Sequence, residues 1–216
     1  MDQANFSQDS PLDPLPAETY RPSAQLVAPR LLGHYLLRRD GAMLTGGIIV
    51  ETEAYLTGDP ACHAFRGRTP RTEVMWGPFG RAYVYLIYGF YNCVNAVCSP
   101  SGVAEAVLIR AIEPSIGTEQ MCQERGSERL LDLASGPGKL CTALKIDRTL
   151  NGVNLYEGNS PLVIAKNHGR AAYLRKYGPI ALTPRIGINL AADLPLRFCL
   201  SKSPFLSRKI RTVVRD

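Results

Sequence analysis

The chain lacks most of what would mark a membrane, secreted or metal-holding protein. It contains no run of about 18 consecutive apolar residues, so no transmembrane helix is expected. No secretory leader is recognisable, and the six cysteines (Cys62, Cys93, Cys98, Cys122, Cys141, Cys199) form no CxxC pair. They read as reduced, mostly buried thiols of a cytosolic protein rather than a disulfide frame. Cys62, His63, Cys93 and Cys98 match no common zinc spacing, so no metal is expected. Internal repeats and an interdomain linker are absent too. A glycine-rich stretch, Ser135-Gly136-Pro137-Gly138-Lys139, lacks the P-loop spacing and the Ser/Thr after Lys, which excludes a nucleoside-triphosphate site of that kind.

What is present is ordinary globular material. The 216 residues are 45% hydrophobic and 20% charged, enough for one sizeable core. Lys and Arg number 25 against 19 Asp and Glu, a net charge of +6 that suits a polyanionic partner without proving one. Residues 1–22 are polar and proline-rich and read as a disordered or loosely docked leader; residues 23–216 read as a single domain. Ser23 is a candidate N-cap for a short helix reaching Leu32 and closed by Gly33. His34 to Arg39 and Gly46 to Tyr55 then read as strands around an Asp40-Gly41 turn. Leu56 to Gly80 is a long aperiodic loop rich in Pro, Gly and Arg, and loops of that length in compact domains usually carry function. Helical segments are expected over Gly117 to Ala134, broken near Gly126, and over Leu140 to Leu144. Pro161 to Ala165 and Leu196 to Leu200 read as strands, Pro184 to Ile188 as a segment crossing near a site, and Ser207 to Arg215 as a basic tail.

Two stretches organise the chain. In the first, Ile48 to Tyr55 (IIVETEAY), residues two apart share a strand face, so Glu51, Glu53 and Tyr55 point the same way. Two carboxylates ~7 Å apart beside a ring are costly if buried. Either this is an exposed strand face, or one carboxylate, Glu51, is paired with an arginine while the other is free to act on water. The second stretch, Arg81 to Val97 (RAYVYLIYGFYNCVNAV), alternates aromatic and aliphatic residues up to Gly89 and resumes at Phe90. It reads as a hairpin with Gly89 at the first central position of a type II′ turn. Tyr88 and Tyr91 then flank a tip with little core to bury them. An aromatic tip on a basic protein suits stacking on bases or wedging between them; the alternative is a set of ordinary sheet aromatics. Downstream, Glu105 to Ile112 (EAVLIRAI) is a buried strand with one charge, Arg110, which needs a partner or a cleft. The Gly136–Lys139 turn opens a helix and offers backbone N–H groups to phosphate, or is a plain capped turn.

These motifs, with EAVLIRAIEP and SGPGKLCTAL, closely resemble the alkyladenine (3-methyladenine) DNA glycosylase family from about Pro29 to Ser207. The resemblance implies an α+β fold: a single mixed domain with a curved antiparallel β-sheet, surrounding helices and a protruding β-hairpin. It implies a monomeric enzyme without metal or other cofactor that hydrolyses the N-glycosidic bond of damaged purines in double-stranded DNA, in the cytoplasm, at the nucleoid or in a nucleus. Carried over by position, Glu53 resembles the general base and Arg110 the residue that helps hold the water and the carboxylate. Tyr55, His63 and Tyr85 are similar to the walls around an extruded base, Tyr88 to the residue that fills the gap left in the duplex, and Asn95 to a pocket residue screening exocyclic groups. Lys139, Gly138, Arg66, Arg68 and Arg71 are expected at phosphates. Arg110 is expected to hold the pKa of Glu53 down against burial, and His63 is the candidate general acid for neutral lesions. The loop from Tyr55 to His63 is a residue shorter than in vertebrate members. A non-catalytic damage- or RNA-binding module could use the same hairpin, but would gain nothing from a carboxylate facing a polyanion. A lyase would need a lysine, and neither organising stretch has one. A glycoside hydrolase pair would flank its bond from two sides.

Overall fold

Alternation of side chains along the strands divides this molecule into a core face and a site face. The structure is a computed structural model that describes residues 12–210. Helix α1 (Ala24–Leu31) follows Ser23 and ends before Gly33, whose φ of +82° turns the chain away. The Ser23 side chain makes no cap bond; the Glu105 carboxylate accepts from the Ala24 N–H instead, at 2.8 Å. Strands β1 (Tyr35–Asp40) and β2 (Met43–Tyr55) pair as a hairpin, and β3 (Ala82–Ile87) and β4 (Tyr91–Cys98) as another. Strand β5 (Glu105–Ile116) lies between β4 and β2. Three short helices follow: α2 (Thr118–Arg125), α3 (Leu130–Leu133) and α4 (Pro137–Ala143). Strand β6 (Leu162–Ala165), helix α5 (Arg170–Tyr177) and strands β7 (Ile180–Thr183) and β8 (Arg197–Leu200) complete the described chain.

The sheet runs β3-β4-β5-β2-β1-β6, with β8 joining β2 and β7, and every pairing is antiparallel. This curled sheet with five helices is the expected α+β single domain. Strand β2 is its axis. One flank pairs with β5 from Gly46 to Tyr55; the other pairs with β1 up to Ile48 and with β8 from Glu51 to Glu53. The change of partner coincides with bulges. Ile49 pairs with Ile112 and Glu51 with Ala111, which leaves Val50 extra; Thr52 pairs with Ile109, which leaves Arg110 extra. A bulge bends its strand and re-aims a side chain, and here the re-aimed residue is the only charge within Ala106–Ile112.

Val84, Val94, Ala96, Val107, Ile109 and Ala54 enter the main core together with residues of α1 and α4. The opposite parity is free for other work. From Leu12 onward the expected leader is packed rather than loose: Leu12 and Leu15 are buried, Tyr20 is fully buried, and the Leu15 N–H donates to the Ile164 carbonyl at 2.8 Å. Prolines around these apolar anchors reduce the entropy lost on docking. Residues 1–11 of that leader, and residues 211–215 of the basic tail, lie outside the described residues.

Candidate active site

The strand face turned away from the main core carries the site. Cross-strand neighbours Glu53, Leu108, Asn95 and Tyr83 form one row across β2, β5, β4 and β3. The next rows on the same face hold Tyr55 with Ala106, and Tyr85 with Cys93. Together with His63, the hairpin tip, the start of α4 and residues 186–188, they enclose a cavity of about 330 Å³, within the range of small-ligand sites. Tyr55, His63, Tyr85, Asn95, Tyr88, Arg110 and Gly138 all line it. Glu53 stands one layer behind, with no exposed surface, against Tyr55, Arg110 and Ile186 of the wall.

Both carboxylates of β2 do share a face, and Arg110 bridges them: its Nε donates to Glu51 at 3.1 Å and its Nη1 to Glu53 at 3.2 Å. Glu51 is the saturated member. Arg197 donates to it at 2.7 Å, the Ser207 N–H at 2.6 Å and the Ser207 hydroxyl at 2.7 Å. Glu53 is not the free group the sequence suggests. Its Oε2 accepts from Arg110 and from the Tyr55 hydroxyl at 2.9 Å, and its Oε1 from the Ile186 N–H at 2.7 Å. Nor does Arg110 hold its pKa below the ordinary value. Burial is the larger influence and leaves Glu53 raised, although Arg110, Ile186 and Tyr55 all pull the other way. Burial, and then Glu53 itself, push the Tyr55 phenol far up, so it remains a donor.

The rings are packed against one another. His63 meets Tyr85 edge-on with centroids 4.4 Å apart, and its Nδ1 is 3.0 Å from the Tyr83 hydroxyl. Burial of the ring against these tyrosines, then the Arg71 charge, push His63 down to about 4, although the residue as a whole is exposed. Tyr83 lines the cavity as well. At the tip, the Phe90 N–H bonds the Ile87 carbonyl at 3.3 Å, and Tyr88 and Gly89 have φ of +54° and +81°. Two positive φ values are the sign pattern of a type I′ turn centred on Tyr88-Gly89, not the expected II′ turn at Gly89-Phe90. The Tyr88 ring is 73% exposed at the cavity rim.

The basic residues divide. Arg66 is exposed, whereas Arg68 is engaged with Glu73, Nε to Oε2 at 2.7 Å. Arg71 lies over the Tyr85 ring, 5.4 Å from its centroid. Lys139 Nζ is 3.7 Å from Asp132, and Gly138 permits close packing, since a Cβ there would stand 3.2 Å from the Tyr91 ring. Sequence reasoning missed Arg197, Ser207 and Asp59 as neighbours of the site, and placed Arg185 only within a segment crossing near it. Arg197 carried the signal that exposed Arg110, a charge inside an apolar strand; Ser207 carried none.

Comparison with known proteins identifies the family of the chain. The family model described as methylpurine-DNA glycosylase (MPG) matches residues 18–204. A protein of Methanoculleus marisnigri is 49% identical over 195 residues, covering 90% of this chain and 99% of that one. One of Carboxydothermus hydrogenoformans is 45% identical over 200 residues, with 90% and 99% covered. One of Koribacter versatilis is 44% identical over 202 residues, with 92% and 95% covered. All three carry the provisional name 3-methyladenine DNA glycosylase. With the family pattern spanning most of its length, the chain belongs to the methylpurine-DNA glycosylase family and is a DNA glycosylase, a hydrolase of N-glycosyl bonds.

Proposed function

We propose that this protein is a monofunctional glycosylase that everts alkylated purines, 3-methyladenine among them, from double-stranded DNA and cleaves them off with a water activated by Glu53. The observation that carries the reading is the buried Glu53 carboxylate, held by three donors directly behind an aromatic cavity whose rim bears an exposed ring. A carboxylate offers roughly four lone-pair positions, and the three donors leave one on Oε1. A water bound there is oriented by Arg110 and Ile186. Its oxygen attacks C1′ as the bond from C1′ to the base nitrogen breaks. The bonding pair leaves with the base, and Glu53 takes the water's proton.

The duplex hides C1′ and the base from such a site, so the nucleotide must leave the stack, at a cost of a few kcal/mol. Tyr88 entering the vacancy offsets part of that cost. Tyr55 on one side and His63 with Tyr85 on the other stack on the everted base, each contact contributing ~1–3 kcal/mol. A cationic alkylpurine gains a further ~0.5–2 kcal/mol from the tyrosine faces. Most of its selective excision comes from its own chemistry, because a positively charged base leaves as a neutral one. Deaminated purines lack that advantage and fall to a slower use of the same site. Asn95 screens exocyclic groups. Arg66, Lys139 and the Gly138 N–H contact phosphates and give binding its salt dependence; Arg68 and Arg71 would first have to leave Glu73 and Tyr85.

Among the described residues no lysine lines the cavity, which favours water over a Schiff base as nucleophile. Incubation with a methylated duplex is expected to release free 3-methyladenine and leave the strand intact, acting as a monomer throughout. An enzyme–DNA adduct trapped by borohydride, or no released base, would overturn this reading.

A further inference from the structure

Arg185 is buried, does not line the cavity, and touches three parts of the site at once. Its guanidinium carbon lies 4.7 Å from the centroid of the Tyr55 ring, and its Nη1 donates to the Ala54 carbonyl at 3.0 Å. The fork grips Asp59, with Nη2 to Oδ1 at 3.0 Å, and the side chains of the pair are 0% and 3% exposed. Asp59 opens the turn that leads to His63: its Oδ1 accepts from Ala61 N–H at 3.0 Å and its carbonyl from Cys62 N–H at 2.9 Å. The residue after Arg185 is Ile186, whose N–H donates to Glu53 Oε1.

We propose that the Arg185–Asp59 pair is a positioning device that fixes the Tyr55 ring, the Ile186 N–H on Glu53 and the turn bearing His63 in one relative geometry. The inference rests on the reading of Glu53 as the base. A planar fork holds the Asp59 carboxylate and the carbonyls of Ala54 and Ala191, the latter 3.3 Å from Nη2, in fixed directions, which a flexible ammonium does not. A buried pair of this kind is not needed to stabilise a fold, since apolar side chains of similar volume do as well; joining one wall, one backbone donor and one loop is a use specific to a site. Misplacement of reacting groups by about 1 Å costs on the order of a hundredfold in rate.

The groups facing Glu53 are Arg110 on β5, Glu51 and Tyr55 on β2, Cys93 on β4, Cys199 on β8 and Arg185. Loss of the Ile186 bond removes a stabiliser of the ionised carboxylate, so the acid limb of excision moves to higher pH. The test is single-turnover release of 3-methyladenine from a methylated duplex across pH by Arg185→Met and Asp59→Asn. Each is expected to slow release tenfold or more, by the order of magnitude above, and Arg185→Met, which also removes a cation facing Glu53, is expected to move the acid limb upward. Arg185→Lys keeps the charge and is expected to recover only part of the rate, with the acid limb still above the parental one. Asp59→Asn keeps the side-chain shape and carries the test if Arg185→Met does not fold. A folded variant with the parental rate, or a slowed Arg185→Lys with the parental acid limb, overturns the proposal. Glu53→Gln run alongside separates the two ideas: inert Glu53→Gln with parental Arg185 and Asp59 variants sinks only the positioning role, while active Glu53→Gln sinks the base assignment beneath it.

Discussion

Tyr88 is held in a conformation that its own side chain opposes. At φ +54° it occupies the left-handed region, which costs a residue with a Cβ roughly 1–2 kcal/mol. Glycine removes that strain but loses about 0.5–1 kcal/mol more backbone entropy on folding. The ring is 73% exposed, so its removal forfeits little burial. Tyr88→Gly is therefore expected to gain about 0.5–1 kcal/mol, a rise of roughly 1–4 °C in Tm for a chain of this size. Tyr88→Ala keeps the strain and should gain nothing. Both variants lack the ring, and if it fills the vacated stack each loses ~1–3 kcal/mol of capture, about a 5- to 150-fold drop in the everted population. Thermal melts and the fluorescence of 2-aminopurine beside a lesion measure the two effects separately. A Tyr88→Gly variant that melts below the parent, or parental fluorescence from both variants, would refute the reasoning: the first denies the strain and the second the wedge.

Removing the charge of Glu51 by Glu51→Gln leaves Arg197 and part of Arg110 buried without a counter-charge, and should cost about 3–5 kcal/mol in urea unfolding, while Glu53→Gln costs much less. Because burial raises Glu53 above 4.5, the folded state holds its proton longer than the unfolded chain. Its contribution to stability is present below about 4.5 and is lost as pH rises through the folded value. The stability gap between parent and Glu53→Gln, from melts at several pH values, should shrink with rising pH; a gap that widens contradicts the shift. For His63, lowered from 6.5 to about 4, the sign is reversed: the unfolded chain binds the proton first, so stability falls as pH drops from 6.5 to about 4. Imidazole NMR should show a neutral ring at pH 6, and a midpoint near 6.5 would be contrary to the packing described.

Period-two alternation made the site face legible, because Tyr83, Tyr85 and Ile87 with Cys93 and Asn95 take one side of two paired strands by parity alone. Arg110 stood out as a charge in an apolar strand, and Glu53 with Tyr55 as a polar pair on one face. The donor from Ile186 was invisible, since a backbone N–H has no side-chain signature. The bulge that re-aims Arg110 depends on where β5 meets β2, a relation between segments distant in the chain. The contest between burial and Arg110 for the proton of Glu53 turns on distances, which composition does not carry. Helix α5 escaped notice because its apolar residues follow no helical stripe; only Tyr177 within it is buried. Tyr88 at positive φ runs against its own preference, and rule-based reading put the glycine one position too early in the turn for that reason.

The central claim is that Glu53 activates the attacking water. Its most direct test compares lesion-duplex affinity and single-turnover release of free 3-methyladenine for Glu53→Gln and the parent. The account expects parental affinity with release lower by at least about 10²–10⁴-fold, the contribution of a positioned base; release at the parental rate would contradict it.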